Sequence, residues 1–80
     1  MPEEQLFKTE QQATRGEIAD ALRDAADQLE SEEVRLVSDT EEQTIAVPET
    51  PRFEVELERL TDSVTGEQRY ELEFEIRWTR

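Results

Sequence analysis

The sequence predicts an α+β domain, a two-layer sandwich in which one helix packs on one face of an antiparallel four-stranded meander. Two observations predict it. A capping box is followed by apolar residues at helical spacing, and the C-terminal half alternates apolar with charged residues, as strands do. With 80 residues, the chain has the length of one small domain, and residues 1–80 are predicted to form it.

The helix is predicted to begin after Thr14. Thr14 and Glu17 have the spacing of a capping box, in which each side chain accepts a hydrogen bond from the backbone N–H of the other residue. Beyond it, apolar residues recur every three or four positions and form one stripe, which predicts a face that packs on a sheet. The stripe consists of Ile18, Leu22, Ala25 and Leu29, widened by Ala21 and Ala26.

Four segments have the composition of strands. Two are short, and the second of these ends at Pro48 because proline cannot donate to a ladder. Leu60 falls out of phase with the apolar residues before it, which predicts a bulge or the start of a loop. The N-terminal segment is either a fifth strand or an extended arm. The predicted strands are Val34–Leu36, Thr44–Val47, Arg52–Leu60 and Arg69–Thr79, with Gln5–Gln12 as the fifth.

The two long strands are predicted to form a hairpin around TDSVTGEQ. Centring the hairpin on this loop places Leu57 opposite Leu72, so that the remaining apolar residues also oppose one another and face the helix. These residues are Phe53 with Ile76 and Val55 with Phe74, while Tyr70 and Trp78 share their phase. The other face then carries Glu54, Glu56 and Glu58 opposite Glu75, Glu73 and Glu71, a double row of carboxylates.

The net charge of −13 excludes some partners. A field of this sign repels phosphate backbones and anionic lipids, so neither direct nucleic-acid binding nor membrane binding is expected. Because the apolar residues are periodic, the acidity indicates adaptation to high salt, where carboxylate repulsion is screened, rather than disorder. The acidic N-terminus has no apolar run, so no signal peptide or membrane span is predicted and the expected location is the cytoplasm.

No catalytic, cofactor or metal site is predicted. Histidine and cysteine are absent, and no phosphate-binding loop or nucleophile elbow occurs. Carboxylates on an open strand surface lack the burial that separates catalytic pKa values, and parallel side chains do not wrap a cation, so we expect a solvated acidic face and no enzyme. A partner could still contact Trp78 at the strand end and Glu54, Glu56, Glu71, Glu73 and Glu75, although Trp78 is expected to pack in the core or at its rim.

The stretch RFEVELERL followed by EQRYELEFEIRW, with the helix GEIADALRDAADQLE and the motif IAVP before it, resembles the amphi-Trp domain. This small family is common in haloarchaea and is defined by an amphipathic strand that ends in tryptophan. The resemblance spans roughly residues 7–78 and is most specific in Glu71–Trp78. It implies an archaeal, halophilic domain without an assigned activity, and it transfers no catalytic residue.

Two classes of function remain after these exclusions. The first is an interaction module that associates with itself or offers a strand edge to a protein partner. The second uses the glutamate rows, either to imitate a nucleic-acid backbone or to bind cations. No small-molecule ligand is predicted for either class.

Overall fold

The computed structural model describes residues 2–80, which divide into two compact units, residues 2–49 and Thr50–Arg80. Together the units hold one helix and four antiparallel strands, which confirms the α+β class; that the 80 residues form a single domain stays a prediction. The first unit contains α1 (Arg15–Glu30), β1 (Glu33–Val37) and β2 (Glu42–Ala46). The second contains β3 (Arg52–Thr61) and β4 (Gln68–Arg77).

The predicted capping box begins α1. The Glu17 N–H donates to Thr14 Oγ1 at 3.1 Å, and the Thr14 N–H donates to Glu17 Oε1 at 3.0 Å. Because the hydrogen bond from the Thr14 backbone is stronger to the ionised carboxylate than to the neutral carboxyl group, it lowers the pKa of Glu17. The start of the helix is therefore fixed locally. No helix in residues 2–80 is long and apolar enough to span a membrane.

The end of α1 is less favourable than its start. Ser31 caps the helix, and the next residue, Glu32, has a φ of 76°, in the left-handed region where glycine is usual after a helix. The last turn contains no basic residue that would complement the negative end of the helix dipole. Glu32 is nevertheless held in place, since its carbonyl oxygen accepts a hydrogen bond from the Val47 N–H at 2.8 Å.

In the first unit, β1 and β2 form an antiparallel hairpin with Val34 opposite Ile45. The helix lies beside β1, where Gln28 Oε1 accepts a hydrogen bond from the Arg35 N–H at 2.6 Å. Across the hairpin, Arg35 Nε donates to Glu42 Oε1 at 2.8 Å. The side chain of Gln28 thus satisfies a backbone donor on the outer edge of β1.

The second unit is a long hairpin in the predicted register, with Leu57 opposite Leu72, Val55 opposite Phe74 and Phe53 opposite Ile76. The prediction of a bulge or loop at Leu60 was wrong: the ladder continues regularly through Thr61 opposite Gln68. The turn is closed by Asp62, whose carboxylate accepts hydrogen bonds from Val64 N–H at 2.7 Å and Thr65 N–H at 3.0 Å. Gly66 supplies the positive φ of 76° that the turn needs.

The strands form two separate two-stranded sheets, so the single four-stranded meander is not confirmed. The hydrogen-bond phase of the hairpins gives the reason. Val47 donates to the Glu32 oxygen directly opposite it, which makes Val34 and Ile45 a hydrogen-bonded pair that points its backbone groups inward. In the second hairpin the Asp62 N–H donates to the carbonyl oxygen of Glu67 directly opposite. Because hydrogen-bonded pairs alternate along the ladder, the backbone groups of the apolar residues of β3 and β4 point outward, toward the free edges. Joining β2 to β3 by their free edges would put the two apolar faces on opposite sides of the sheet.

The fifth strand predicted at Gln5–Gln12 is not formed, since residues 2–14 contain no helix or strand. Its two large apolar residues, Leu6 and Phe7, are adjacent and would lie on opposite faces of a strand. Phe7 is half-buried and Leu6 is exposed. The apolar pattern in this segment is too short to define a sheet face.

No residue in the described range is fully buried, so neither unit encloses a dry core of its own. The stripe of α1 follows the predicted spacing, but Ile18 and Leu22 remain about half exposed. The two-layer sandwich predicted from the sequence is therefore not confirmed.

Replacing Glu32 with glycine should raise the free energy of unfolding by about 0.5 to 1 kcal/mol, because glycine adopts the left-handed conformation without the penalty of a Cβ atom. Chemical denaturation followed by circular dichroism measures the change.

The matched control is Glu33→Gly, which removes the same charge from the adjacent residue but places glycine inside β1. This variant should be destabilised. Equal effects of the two substitutions would show that charge, and not the φ angle of Glu32, decides the outcome.

Candidate interaction surface

One face of the β3–β4 hairpin is apolar and open. Because side chains alternate along each strand, the register places the odd-numbered residues of β3 and the even-numbered residues of β4 on the same side. Most of these side chains are more than half exposed, with Phe53 at 65%, Leu57 at 69% and Leu72 at 61%. We call the set of Phe53, Val55, Leu57, Tyr70, Leu72 and Phe74 the apolar face.

The apolar face is ordered by contacts within the hairpin. Its directly opposed pairs occupy the positions without direct hydrogen bonds, where the strands bring Cα atoms to about 4.5 Å and side chains are closest. The rings of Phe53 and Phe74, which are diagonal neighbours, stack with centroids 6.4 Å apart and planes 10° apart. The side chains therefore cover one another along the strands, while their outer surface remains available.

The opposite face carries the predicted rows of glutamates, and the structure brings all of them together. Glu54, Glu56 and Glu58 oppose Glu75, Glu73 and Glu71. These are the hydrogen-bonded pairs, whose Cα atoms are about 5.5 Å apart, so the like charges occupy the wider positions of the ladder. We call this set of six the glutamate rows.

Arginines contact glutamates at both ends of the glutamate rows. Arg77 contacts Glu54 at 2.9 Å and Glu75 at 3.3 Å, and Arg69 contacts Glu71 at 3.6 Å. In the part of the chain that the structure describes, no cation lies within 4.0 Å of the central pair, Glu56 and Glu73, or of Glu58 at the end nearer the turn. The uncompensated charge thus extends from the middle of the glutamate rows to Glu58 on β3.

This central cluster changes the protonation of one carboxylate. A side-chain hydrogen bond with Glu58 raises the pKa of Glu56 to about 7, and the charges of Glu58, Glu54 and Glu73 act in the same direction. Among residues 2–80, no three acidic side chains converge in a geometry that could hold a metal ion.

Trp78 lies apart from the glutamates that the sequence grouped with it. It follows the last residue of β4, continues the phase of the apolar face, and is half-buried. The candidate contact residues therefore separate into two places, with Glu54, Glu56, Glu71, Glu73 and Glu75 on one face and Trp78 beyond the strand end, in phase with the other.

The residues of the apolar face were not predicted as a site, because alternation alone assigns such residues to a core. The same alternation locates the face correctly; what it does not reveal is whether a layer covers it. A usable signal is the number of large apolar residues on one side of the predicted hairpin, since a two-stranded hairpin with six such residues needs a covering surface.

The protonation of Glu56 predicts an unusual pH dependence. The folded chain keeps this proton up to about pH 7, whereas the unfolded chain releases it near the ordinary value of 4.5. The stabilisation is therefore complete below pH 4.5 and is lost as the pH rises to about 7. At still lower pH, protonation of Glu17, Glu42 and Asp62, whose pKa values are lowered by the hydrogen bonds that their carboxylates accept, should reverse the gain.

Thermal melts of wild type between pH 4.5 and 8 should show a melting temperature that falls with rising pH, and Glu56→Gln should flatten this slope and raise the value at pH 8. The control is Glu49→Gln, which removes a carboxylate outside the glutamate rows and should keep the wild-type slope. A slope that persists in Glu56→Gln would contradict the assignment.

The chain was compared with families of known proteins, with curated proteins and with solved structures. The family model described as the Amphi-Trp domain matches residues 1–80, the whole chain. No curated protein and no solved structure matches it. An amphipathic strand of alternating apolar and acidic residues, followed by tryptophan, is present as β4 and Trp78. The chain belongs to the Amphi-Trp domain family.

Proposed function

We propose that this chain is a non-catalytic, self-associating module whose apolar face binds the apolar face of a second copy. The observation that carries the proposal is the exposure of six large apolar side chains on one side of a hairpin of two ten-residue strands. An isolated two-stranded hairpin is marginally stable in water and gains most from burial of one face.

The area of the apolar face suits a dimer. Aromatic side chains bury about 150 to 250 Å² each when fully covered, so the three aromatic members, which are 53 to 65% exposed, offer roughly 270 to 440 Å², and the three aliphatic members add to this area. A stable protein interface of standard size uses about 800 Å² per partner. The apolar face therefore supplies a large part of the area that such an interface uses.

Charge also favours a second copy. All six members of the glutamate rows lie on the opposite side of the hairpin, so two copies packed by their apolar faces direct their carboxylates outward. Packed sheets are about 10 Å apart, and each row stands beyond its own sheet, which exceeds the Debye length of about 8 Å at physiological salt. The net charge of −13 then opposes association only weakly, and less in high salt.

The competing occupant is the chain's own helix, as in the two-layer arrangement that the sequence predicts. The stripe of α1 presents Ile18 and Leu22 at about half exposure, so it also has apolar surface to bury. Intramolecular packing would give a monomer in which the apolar face forms the core, and the experiment below separates the two arrangements.

Imitation of a nucleic-acid backbone receives less support. With Arg69 and Arg77 pairing at the ends, only Glu56, Glu58 and Glu73 lack a cation, which is a short stretch for a phosphate mimic. The acidity is better explained as adaptation to a salt-rich archaeal cytoplasm, in which we place the protein. No enzyme activity, cofactor, small-molecule ligand, nucleic acid or membrane enters this proposal.

Leu57→Glu should halve the assembly mass or reduce it further, because it places a charge in the middle of the apolar face. Light scattering coupled to gel filtration in molar KCl measures the mass. Val64→Glu is the matched control, since Val64 lies in the hairpin turn, is 90% exposed and is not part of the apolar face; its mass should equal that of wild type.

A monomeric wild type that loses its circular dichroism signal in Leu57→Glu would contradict the proposal and indicate cover by the chain's own helix. An assembly whose mass is unchanged in Leu57→Glu would contradict association through the apolar face.

The melting temperature should rise steeply between dilute buffer and molar KCl, because three directly opposed Glu pairs cost roughly 0.2 to 1 kcal/mol each when unscreened. The charge-reversed variant Glu73→Arg, which supplies a cation at the uncompensated centre of the rows, should reduce the salt dependence. A melting temperature independent of KCl would contradict adaptation to high salt.

A further inference from the structure

The outer edge of β4 is the second feature of the hairpin with no partner. From the hydrogen-bond phase set by Asp62 and Glu67, the backbone N–H and C=O groups of Tyr70, Leu72, Phe74 and Ile76 point away from β3. None of these groups has a hydrogen-bond partner in the part of the chain that the structure describes. We propose that β4 adds antiparallel to β4 of a second copy through this edge, a contact distinct from the one on the apolar face.

The edge of β4 lacks the features by which proteins usually protect a strand. It contains no proline, glycine or lysine, and its ladder with β3 runs for ten pairs without a bulge. The first unit shows that protection is available in this chain, because Gln28 accepts the outward hydrogen bond of Arg35 on β1. Only the charged side chains of β4 oppose pairing along this edge, and salt weakens their repulsion.

The edge of β3 is a poorer candidate. Pro51 immediately precedes the strand, and Arg59 occupies an outward-pointing position in the same phase as Leu57. A second β3 paired along this edge would bury the side chain of Arg59 beside apolar residues. Proteins use charged side chains in such positions to block pairing between edge strands. On β4 every outward-pointing residue from Tyr70 to Ile76 is apolar.

The charges of β4 suit pairing with a copy of itself. Arg69 and Arg77 lie at its two ends, with Glu71, Glu73 and Glu75 between them. In a dimer with its two-fold axis at Phe74, Glu71 of each copy would lie opposite Arg77 of the other copy. These two favourable pairs offset the two repulsive pairs between Glu73 of one copy and Glu75 of the other. Because outward-pointing residues oppose one another, the joined sheet keeps all apolar side chains on one face and all glutamates on the other.

Edge pairing and face packing together predict an assembly of four chains with closed two-fold symmetry. Light scattering in molar KCl should then give four chains for wild type and two for Leu57→Glu, in which only the edge contact remains. Adding Leu72→Pro to Leu57→Glu removes an outward donor on β4 and should give one chain, whereas adding Val55→Pro, which removes an outward donor on β3, should leave two.

The two contacts fail separately in this experiment. If the wild type contains two chains and Leu57→Glu contains one, the result would overturn edge pairing and support the contact through the apolar face. A wild type of two chains that is unchanged in Leu57→Glu and becomes one in Leu72→Pro would support edge pairing and overturn the face contact.

Amide exchange on the wild-type chain tests the edge without any substitution that could prevent folding. Measured residue by residue by NMR in molar KCl, the outward amides of Leu72 and Phe74 should exchange at least tenfold more slowly than those of Val55 and Leu57. Equal exchange rates on the two strands would overturn the pairing of β4.

Discussion

The hydrogen-bonded ladder between β3 and β4 determines which side chains of the C-terminal unit meet, and at what spacing. Its phase places the apolar pairs at the close positions, where contact between side chains is favourable, and the glutamate pairs at the wide positions, where repulsion is weaker. The same phase points the backbone groups of the apolar residues toward the free edges. The stacked pair Phe53 and Phe74, the clustered carboxylates and the open edge of β4 all depend on this single register.

Electrostatics then divides the acidic face into ends and a centre. The arginines at positions 69 and 77 compensate the ends, while the proton held by Glu56 partly compensates the centre. A hairpin with this arrangement tolerates its charge in two ways, by binding a proton or by screening with salt. The apolar face bears no carboxylate, so neither mechanism interferes with burial on that side.

The sequence was sufficient for every feature that depends on side-chain alternation. The capping box of Thr14 and Glu17 has a local geometry, and the register of Leu57 with Leu72 follows from the turn residues around Gly66. Alternation also placed Glu54, Glu56 and Glu58 on one face correctly. It was not sufficient for Leu60, because an apolar residue on the glutamate face looks like a bulge although the backbone continues unchanged.

Alternation predicts which face of the sheet a side chain occupies. It does not predict toward which edge the backbone N–H and C=O groups of that residue point. The meander was therefore a reasonable prediction that the hydrogen-bond phase of the two hairpins does not favour. Likewise, Phe53 or Leu72 in a strand pattern has the same appearance whether the covering layer comes from the same chain or from another one. For the candidate surface, the sequence thus locates the residues and leaves their exposure undetermined.

The opposite phases of the two hairpins have a consequence for competition between partners. β2 and β3 are joined by only five residues, Val47 to Pro51, and such a short connection gives an effective local concentration in the millimolar range or above. If the phases matched, β2 would occupy the edge of β3 within the same chain and extend the sheet there. Because they do not match, this proximity gives β2 no advantage, and the edge of β3 relies on Pro51 and Arg59, rather than on a paired strand, to disfavour association.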